Sequence, residues 1–215
     1  METIRHIVYD IDKSSERMDE ILNAGDEEFS DLPNIPPRDD LTYTNGAYVN
    51  IAALFIDMVG SSDMTNSHYR PTLAKIYRCF ISECTAIMNG QDICKEISIK
   101  GDCVWGVFEV ANKLDFNIVF DIACKLNSLI KILNYKLKKK HYRTISVGIG
   151  IDYGRALMVK AGYYGSRLND VIWMGDVVNS ACHLANKAGR KGLKPIAISE
   201  EAYSKLDNIY KGYCT

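Results

Sequence analysis

This 215-residue sequence has almost no charge imbalance and no long apolar run, and each absence excludes a class of protein. Its formal net charge is −1, so a basic surface for nucleic acid is not predicted. No apolar stretch is long enough to span a membrane, and the N-terminus lacks the hydrophobic segment of a signal peptide. We therefore expect a cytoplasmic protein with neither nucleic acid nor membrane as a partner.

The cysteines lack the paired spacing that zinc sites and disulfide frameworks need. There are seven, an odd number, scattered through apolar segments without a Cys-x-x-Cys pair. Neither a zinc site nor a disulfide framework is expected. Free thiols in a reducing compartment fit this pattern better.

Proline is scarce, and its distribution marks a change in organisation near the N-terminus. Three of the five prolines lie in the acidic stretch 26–40. A short helix is predicted before that stretch, over residues 15–24, with Ser14 as its N-cap. We therefore predict an N-terminal helix and arm over residues 1–44, followed by one main domain over residues 45–215.

Hydrophobic spacing in the main domain predicts an α+β fold, with helices on one face of a mainly antiparallel sheet. The predicted strands are 47–56, 97–100, 103–109, 145–151, 157–161, 171–174 and 195–198. The predicted helices are 71–89, 117–139, 175–188 and 199–206. This order places the ends of two central strands side by side.

Each of those two strand ends carries an aspartate, in Leu54-Phe-Ile-Asp-Met-Val-Gly-Ser-Ser and in Ile99-Lys-Gly-Asp-Cys-Val-Trp. Aspartate is a poor strand former, and a carboxylate beside apolar residues needs a cation or a full set of donors. Asp57 and Asp102 could hold a pair of divalent ions, and hard oxygen ligands favour Mg2+ or Mn2+. Taken singly, either residue could instead be a turn or capping residue.

Two further segments point to a phosphorylated substrate. Gly60-Ser61-Ser62 allows the chain to turn into a helix directly after Asp57, and a helix N-terminus is a phosphate site. Asn179 and His183 are four residues apart, so they share one helix face and could meet a phosphate or a sugar. The alternative for this pair is two surface residues on an amphipathic helix. Carboxylates beside a phosphate site predict metal-assisted chemistry on a nucleotide.

In their order along the chain, these segments resemble the motifs of the class III nucleotidyl cyclases. The family's three motifs stand here as Phe55-Ile-Asp-Met-Val-Gly-Ser61, Gly101-Asp102 and Val178-Asn-Ser-Ala-Cys-His-Leu184. The segment 145–154 is similar to the family's G-I-x-x-G strand, and the resemblance covers residues 47–206. It implies a ferredoxin-like core and a head-to-tail homodimer with composite sites at the interface.

The resemblance also implies a reaction and a set of roles. A nucleoside triphosphate is cyclised by attack of its 3′-hydroxyl on the α-phosphate, and pyrophosphate is released. Two Mn2+ or Mg2+ ions per site would activate the hydroxyl and neutralise the phosphates. The implied roles are metal binding for Asp57, Asp102 and the Ile56 carbonyl, β/γ-phosphate binding for the amides of Met58, Val59, Gly60 and Ser61, and ribose orientation for Asn179 of the other subunit.

The sequence departs from the family at three positions. His183 stands where the family has a transition-state arginine, and imidazole is shorter and has no bidentate fork. Ser98 and Ile172 stand where purine-specific members carry Lys with Asp for adenine, or Glu with Cys for guanine. A smaller ring with one or two polar edges would suit these residues. Lys211 is a candidate for a lysine that binds phosphate in some relatives.

These departures make the chain similar to the bacterial pyrimidine cyclases of the Pycsar anti-phage system. That resemblance implies UTP, or less favourably CTP, as substrate, and a cyclic pyrimidine monophosphate that activates a separate effector. Two alternatives stay open: an inactive cyclase-like module that binds nucleotide or a partner, and an adenylate or guanylate cyclase with atypical base contacts. His183 favours the inactive module, whereas keeping both Asp57 and Asp102 argues against it, because clustered carboxylates cost stability without metal.

Overall fold

The computed structural model describes residues 6–64, 69–164 and 168–214. By internal contacts the chain divides into two compact units. The smaller unit is Met1–Asn50 with Arg155–Gly175, and the larger is Ile51–Gly154 with Asp176–Thr215. In chain order the elements are α1 (Ile11–Leu22), β1 (Phe29–Asp31), β2 (Gly46–Val59), α2 (Ser61–Met64), α3 (Arg70–Asn89), β3 (Cys94–Lys100), β4 (Cys103–Glu109), α4 (Lys113–Lys139), β5 (Ser146–Tyr163), β6 (Leu168–Met174), α5 (Asp176–Lys187), β7 (Ile196–Ile198), α6 (Glu200–Lys205) and α7 (Asn208–Lys211), with 3-10 turns at Asp26–Glu28 and Arg38–Asp40.

The larger unit is an α+β structure, and the predicted fold class is confirmed. Its strands lie in the order β3-β4-β2-β5. Strand β4 pairs antiparallel with both β2 and β3, and β7 runs parallel to β5. The sheet is therefore mainly antiparallel, as the alternation of short apolar segments predicts.

One face of this sheet is covered by the two long helices. Apolar residues of α3 recur at helical spacing and are fully buried, as Ile76, Phe80 and Met88 show. They form one core cluster with apolar residues of α4 and with Leu54 and Ile56 of β2. Since successive strand residues point to opposite faces, Phe55 and Asp57 belong to the other face.

Helix α5 packs against that other face, which differs from the predicted placement of the helices on one side only. The reason lies in β5, where Val147, Ile149 and Ile151 belong to the core cluster under α3 and α4. Gly148 and Gly150 alternate with these residues, so the opposite face of β5 carries no side chains at these two positions. A Cβ at Gly150 would lie 2.1 Å from the Ala181 carbonyl oxygen, so the helix backbone rests directly on the strand.

The smaller unit holds the N-terminal arm against the β5–β6 hairpin. Strand β1 pairs in parallel with the start of β2, and β6 pairs antiparallel with residues 157–163 of β5. Arg155 donates to Asp31 at 2.7 Å and lies 3.8 Å from the ring centroid of Tyr48. Arg38 pairs with Asp170 of the hairpin. The arm is thus part of a folded unit rather than an extended linker.

Several strands and helices are a few residues longer than predicted, and three elements differ in kind or starting point. Helix α1 begins at Ile11, because the Asp10 side chain accepts hydrogen bonds from two amides of the first turn and serves as the N-cap in place of Ser14. Residues 145–151 and 157–161 are parts of one strand, β5. Strand β1 was not predicted, since it depends on pairing with Gly46–Tyr48. None of the described helices has the length and apolar character needed to cross a membrane.

Candidate active site

Asp57 and Asp102 lie together where two paired strands end. In the β2–β4 ladder Asp57 is opposite Cys103, so Asp102 is one residue beyond the paired position. The β3–β4 hairpin closes through Gly101 and Asp102, and Gly101 has the positive φ of 64° that this tight turn requires. The predicted meeting of the two aspartate-bearing strand ends is confirmed.

The charge of Asp102 acts on the Asp57 carboxylate. Burial raises the pKa of Asp57, a hydrogen bond from Arg190 lowers it, and the negative charge of Asp102 raises it further. The net shift is upward, so the Asp57 carboxylate is held in a place where its charge is only partly compensated. A divalent cation would complete that compensation.

The negative charges of Asp57 and Asp102 also raise the pKa of neighbouring side chains. Burial raises the pKa of Tyr77, and the charges of Asp102 and Asp57 add to the effect. The hydroxyl of Tyr77 has Ser61 as its hydrogen-bond partner. Burial, with the charges of both aspartates, raises the pKa of Cys103 to about 12. Without a bound metal, Cys103 is therefore a neutral thiol at physiological pH.

The oxygen ligands at this site fit Mg2+ or Mn2+, and they are too few to coordinate a metal ion with protein groups alone. Within the described ranges, no group of three or more His, Cys, Asp or Glu side chains is arranged to hold a metal. Mg2+ is usually held by one or two carboxylates and completes its shell with water and substrate phosphate. Asp57 and Asp102 supply two carboxylates, and Ile56, whose side chain is fully buried, is next to Asp57 in β2.

The chain turns sharply after Asp57, at the segment predicted to bind phosphate. Met58 is buried, and Val59 is the last residue of β2. Gly60 has φ of 70°, a value that favours glycine. Ser61 begins α2, which has four residues. The predicted turn into a helix is therefore present, directly beside the two carboxylates.

Asn179 and His183 lie on the outer face of α5. Both are exposed, whereas Val177, Ala181 and Ala185 of the same helix are buried. Among the described residues, neither the side chain of Asn179 nor that of His183 makes a hydrogen bond or an ion pair. Asn179 lies about 9 Å along the helix axis from Ala185, given a rise of 1.5 Å per residue. The structure thus leaves both side chains available to a molecule outside their own chain.

The two residues predicted to contact the base belong to different units. Ser98 lies in β3, half-buried, and is opposite Trp105 in the β3–β4 ladder. Trp105 stacks on Phe55, with ring centroids 4.9 Å apart. Ile172 lies in β6 of the smaller unit and is 43% exposed. Neither residue carries a charge.

Lys211, the candidate phosphate-binding lysine, lies in α7. Its ammonium group donates to the Ser204 carbonyl at 3.3 Å and lies 5.4 Å from the ring centroid of Tyr203. These contacts stabilise the C-terminal helices, and they give Lys211 a structural role.

The sequence analysis did not identify Arg190, the residue that contacts Asp57 directly. Its Nη2 donates to Asp57 Oδ2 at 2.8 Å, across a separation of 133 residues. Gly189 closes α5 with φ of 65°, and a basic residue just after such a cap suggests contact with the last carbonyls. That local signal could have placed Arg190 at the helix end, but it carries no information about Asp57.

Comparison with known proteins gives matches over most of the chain. The family described as "Adenylate and Guanylate cyclase catalytic domain" matches residues 44–214. A uridylate cyclase of Gulbenkiania mobilis is 40% identical over 208 residues, which cover 92% of this chain and 80% of that protein. A uridylate cyclase of Treponema porcinum is 36% identical over 204 residues, covering 95% of this chain and 71% of that protein. The crystal structure of the adenylyl cyclase CyaB from P. aeruginosa superposes with a TM-score of 0.66 at 20% identity, covering 75% of this chain and 82% of that one.

Proposed function

Because the chain belongs to the family of adenylate and guanylate cyclase catalytic domains, we propose that it is a pyrimidine nucleotide cyclase that converts UTP into cyclic UMP and pyrophosphate. The observation that carries the chemistry is the adjacency of Asp57 and Asp102 at the ends of β2 and β4. The observation that favours the base is that relatives at 36% and 40% identity bear the name uridylate cyclase.

Asp57 and Asp102 would hold two Mn2+ or Mg2+ ions, with the Ile56 carbonyl as a further oxygen ligand. Such ions lower the pKa of the attacking 3′-hydroxyl and neutralise charge on the phosphates. The amides of Met58, Val59, Gly60 and Ser61 follow directly and would receive the β- and γ-phosphates. The positive φ of Gly60 supports this role, because it turns the backbone at the point where phosphate would approach.

Asn179 and His183 would act on the substrate held by a second copy of the chain. Both side chains are exposed, and neither makes a hydrogen bond within the described residues. Asp57 of the same chain is instead contacted by Arg190, which lies beyond the opposite end of α5. A head-to-tail homodimer would bring Asn179 of one protomer to the ribose above the partner's aspartates. His183 would donate a hydrogen bond to the charge that develops at the α-phosphate.

Ser98 and Ile172 would set the choice of base. A hydroxyl can donate or accept one hydrogen bond, so Ser98 could meet either polar edge of a pyrimidine. Ile172 could only fill space beside the ring. Purine selection by a charged pair is not available to these two side chains. The cyclic product would activate a separate effector protein, as a signal in defence against phage.

The decisive experiment incubates the purified chain with ATP, GTP, CTP and UTP separately, with Mn2+, and identifies the products by mass. Cyclic UMP from the unmodified chain and from Asp92→Asn, with none from Asp57→Asn, would establish the proposal. Asp92 is a suitable control because it is an exposed carboxylate on the chain segment between α3 and β3. A cyclic purine product would preserve the cyclase and overturn the base assignment.

The second candidate is a cyclase-like module that binds nucleotide without turnover. Two observations favour it: His183 replaces the family's arginine, and Arg190 already neutralises part of the charge on Asp57. This candidate predicts that UTP binds, as measured by calorimetry, while no nucleotide yields a cyclic product with Mn2+. Turnover of any nucleoside triphosphate would exclude it.

A further inference from the structure

Arg190 joins the end of α5 to Asp57. Its Nη2 donates to Asp57 Oδ2 at 2.8 Å and lies 3.5 Å from the Met58 carbonyl oxygen. Its Nη1 donates to the carbonyl oxygens of Ala185 and Ala188, at 2.9 Å and 3.3 Å. One guanidinium group therefore connects the last turn of a helix with the end of a strand.

The helix carbonyls fix the guanidinium group independently of Asp57. The last carbonyls of an α-helix have no partner inside the helix, so Arg190 satisfies groups that would otherwise need one. The backbone at Gly148 permits this approach, because a Cβ there would lie 2.0 Å from the Ala185 oxygen and 3.0 Å from Arg190 Nη1. The side chain of Arg190 is only 26% exposed. The guanidinium group of Arg190 is therefore anchored by contacts that do not involve Asp57.

The contact with Arg190 uses one oxygen of Asp57. Within the described residues, Asp57 Oδ2 accepts from Arg190, while Oδ1 accepts no hydrogen bond. An anchored guanidinium that donates to one oxygen restricts the rotation of the carboxylate. The second oxygen then stays available to a further partner, on a carboxylate that also experiences the negative charge of Asp102.

We propose that Arg190 is a positioning residue for metal binding, which holds Asp57 Oδ2 so that Oδ1 is presented to a divalent ion. This inference rests on the proposed metal site and adds Arg190 as a residue that contacts the metal ligand Asp57 rather than the metal. Hydrogen-bonding partners of metal ligands orient those ligands, and their loss commonly lowers metal affinity by about 10- to 100-fold. Arg190 acts through Asp57 and does not touch the substrate.

The opposite role predicts an effect of opposite sign. If Arg190 merely occupied the place of a cation and competed with the metal, its removal would tighten metal binding. If Arg190 orients Asp57, its removal weakens metal binding although a positive charge has been lost from the site. The sign of the change in affinity therefore separates the two roles.

The test measures binding of Mn2+ alone, by the electron paramagnetic resonance signal of the free ion, on the full chain without nucleotide. We expect Arg190→Met to lower the affinity for Mn2+ by about 10-fold or more. Lys191→Met removes the same charge from the next, exposed residue and should leave the affinity within about twofold of that of the unmodified chain. Unchanged or tighter binding in Arg190→Met would overturn the proposal.

Arg190→Lys keeps the test decisive if Arg190→Met does not fold, as judged by circular dichroism. Lysine keeps the charge but cannot donate to two carbonyls and a carboxylate in the same geometry. We expect the Arg190→Lys variant to bind Mn2+ at least about threefold more weakly than the unmodified chain. Equal binding would contradict the proposal that the planar guanidinium group orients Asp57. If the unmodified chain and Asp57→Asn bind Mn2+ equally, the metal site itself is wrong, which is a separate failure.

Discussion

Replacement of Gly150 by alanine would place a methyl group 2.1 Å from the Ala181 carbonyl oxygen and 2.3 Å from the Ala185 amide nitrogen. Both neighbours are backbone atoms of α5, so no rotation of a flexible side chain can relieve the contact. Ordinary contact begins near 3.4 Å, and the helix would have to move away from β5 by about 1.3 Å at this point.

The magnitude follows from that displacement. Overpacking of a well-packed interface commonly costs about 1–3 kcal/mol, and here the rigid backbone argues for the upper part of that range. For a chain of this length, 1 kcal/mol corresponds to about 2–4 °C in Tm, so we expect Tm to fall by about 5 °C or more. A 1 Å misplacement of a positioning element can lower turnover about 100-fold, and α5 carries Asn179 and His183.

Gly154→Ala is the matched control, because it lies on the same strand and faces the same helix. A Cβ at Gly154 would lie 3.4 Å from the Val177 Cβ, which is ordinary contact. We expect Tm and cyclase turnover of this variant to stay close to those of the unmodified chain. If Gly150→Ala and Gly154→Ala melt at the same temperature, the direct seating of α5 on the strand backbone is refuted.

Three further outcomes follow from particular contacts. Asn134→Ala leaves both the amide and the carbonyl of Ile145 without their 2.8 Å partners, and we expect a loss of about 2 kcal/mol in the free energy of unfolding, measured with urea. Cys84 is buried and its pKa is raised to about 12, whereas Cys79 of the same helix is exposed. Iodoacetamide at pH 8 should therefore label Cys79 and leave Cys84 unlabelled, as detected by mass spectrometry. Equal labelling of the two cysteines would contradict this burial. Burial raises the pKa of Asp57, so without metal this residue contributes stability that is present below its unfolded pKa and lost as pH rises through the folded value. The difference in Tm between Asp57→Asn and the unmodified chain, measured in EDTA, should therefore grow in favour of the variant as pH rises above 4; a constant difference would refute the shift.

The long helices and the aspartates could be predicted from sequence, because both depend on local signals. Helix α3 presents buried apolar residues at helical spacing, and this periodicity is visible in any window of the segment. Asp57 and Asp102 are conspicuous because charged residues are unfavourable beside apolar strands. The tight Gly101 turn between β3 and β4 brings the second aspartate next to the first.

The features that were missed depend on partners distant in sequence. Strand β5 was predicted as two strands, since Gly154-Arg155 resembles a break, but its second half is stabilised by antiparallel pairing with β6. The contact between Arg190 and Asp57 joins residues 133 positions apart. A local signal could place Arg190 at the end of α5, but only the folded chain brings it to Asp57.

The close packing of α5 on two glycines also bears on how such a protein can change the residues that meet its substrate. The helix is held by backbone contact at Gly148 and Gly150 and by small buried residues such as Ala181, so its outer face takes no part in packing. Substitutions there, including the histidine at 183, can accumulate without penalty to the fold. Arginine introduced at this position should leave the melting temperature unchanged within about 2 °C, because exposed substitutions of this kind shift stability by only about 0.5 kcal/mol. Evolution could thus vary the groups that meet a nucleotide while the supporting framework stayed constant.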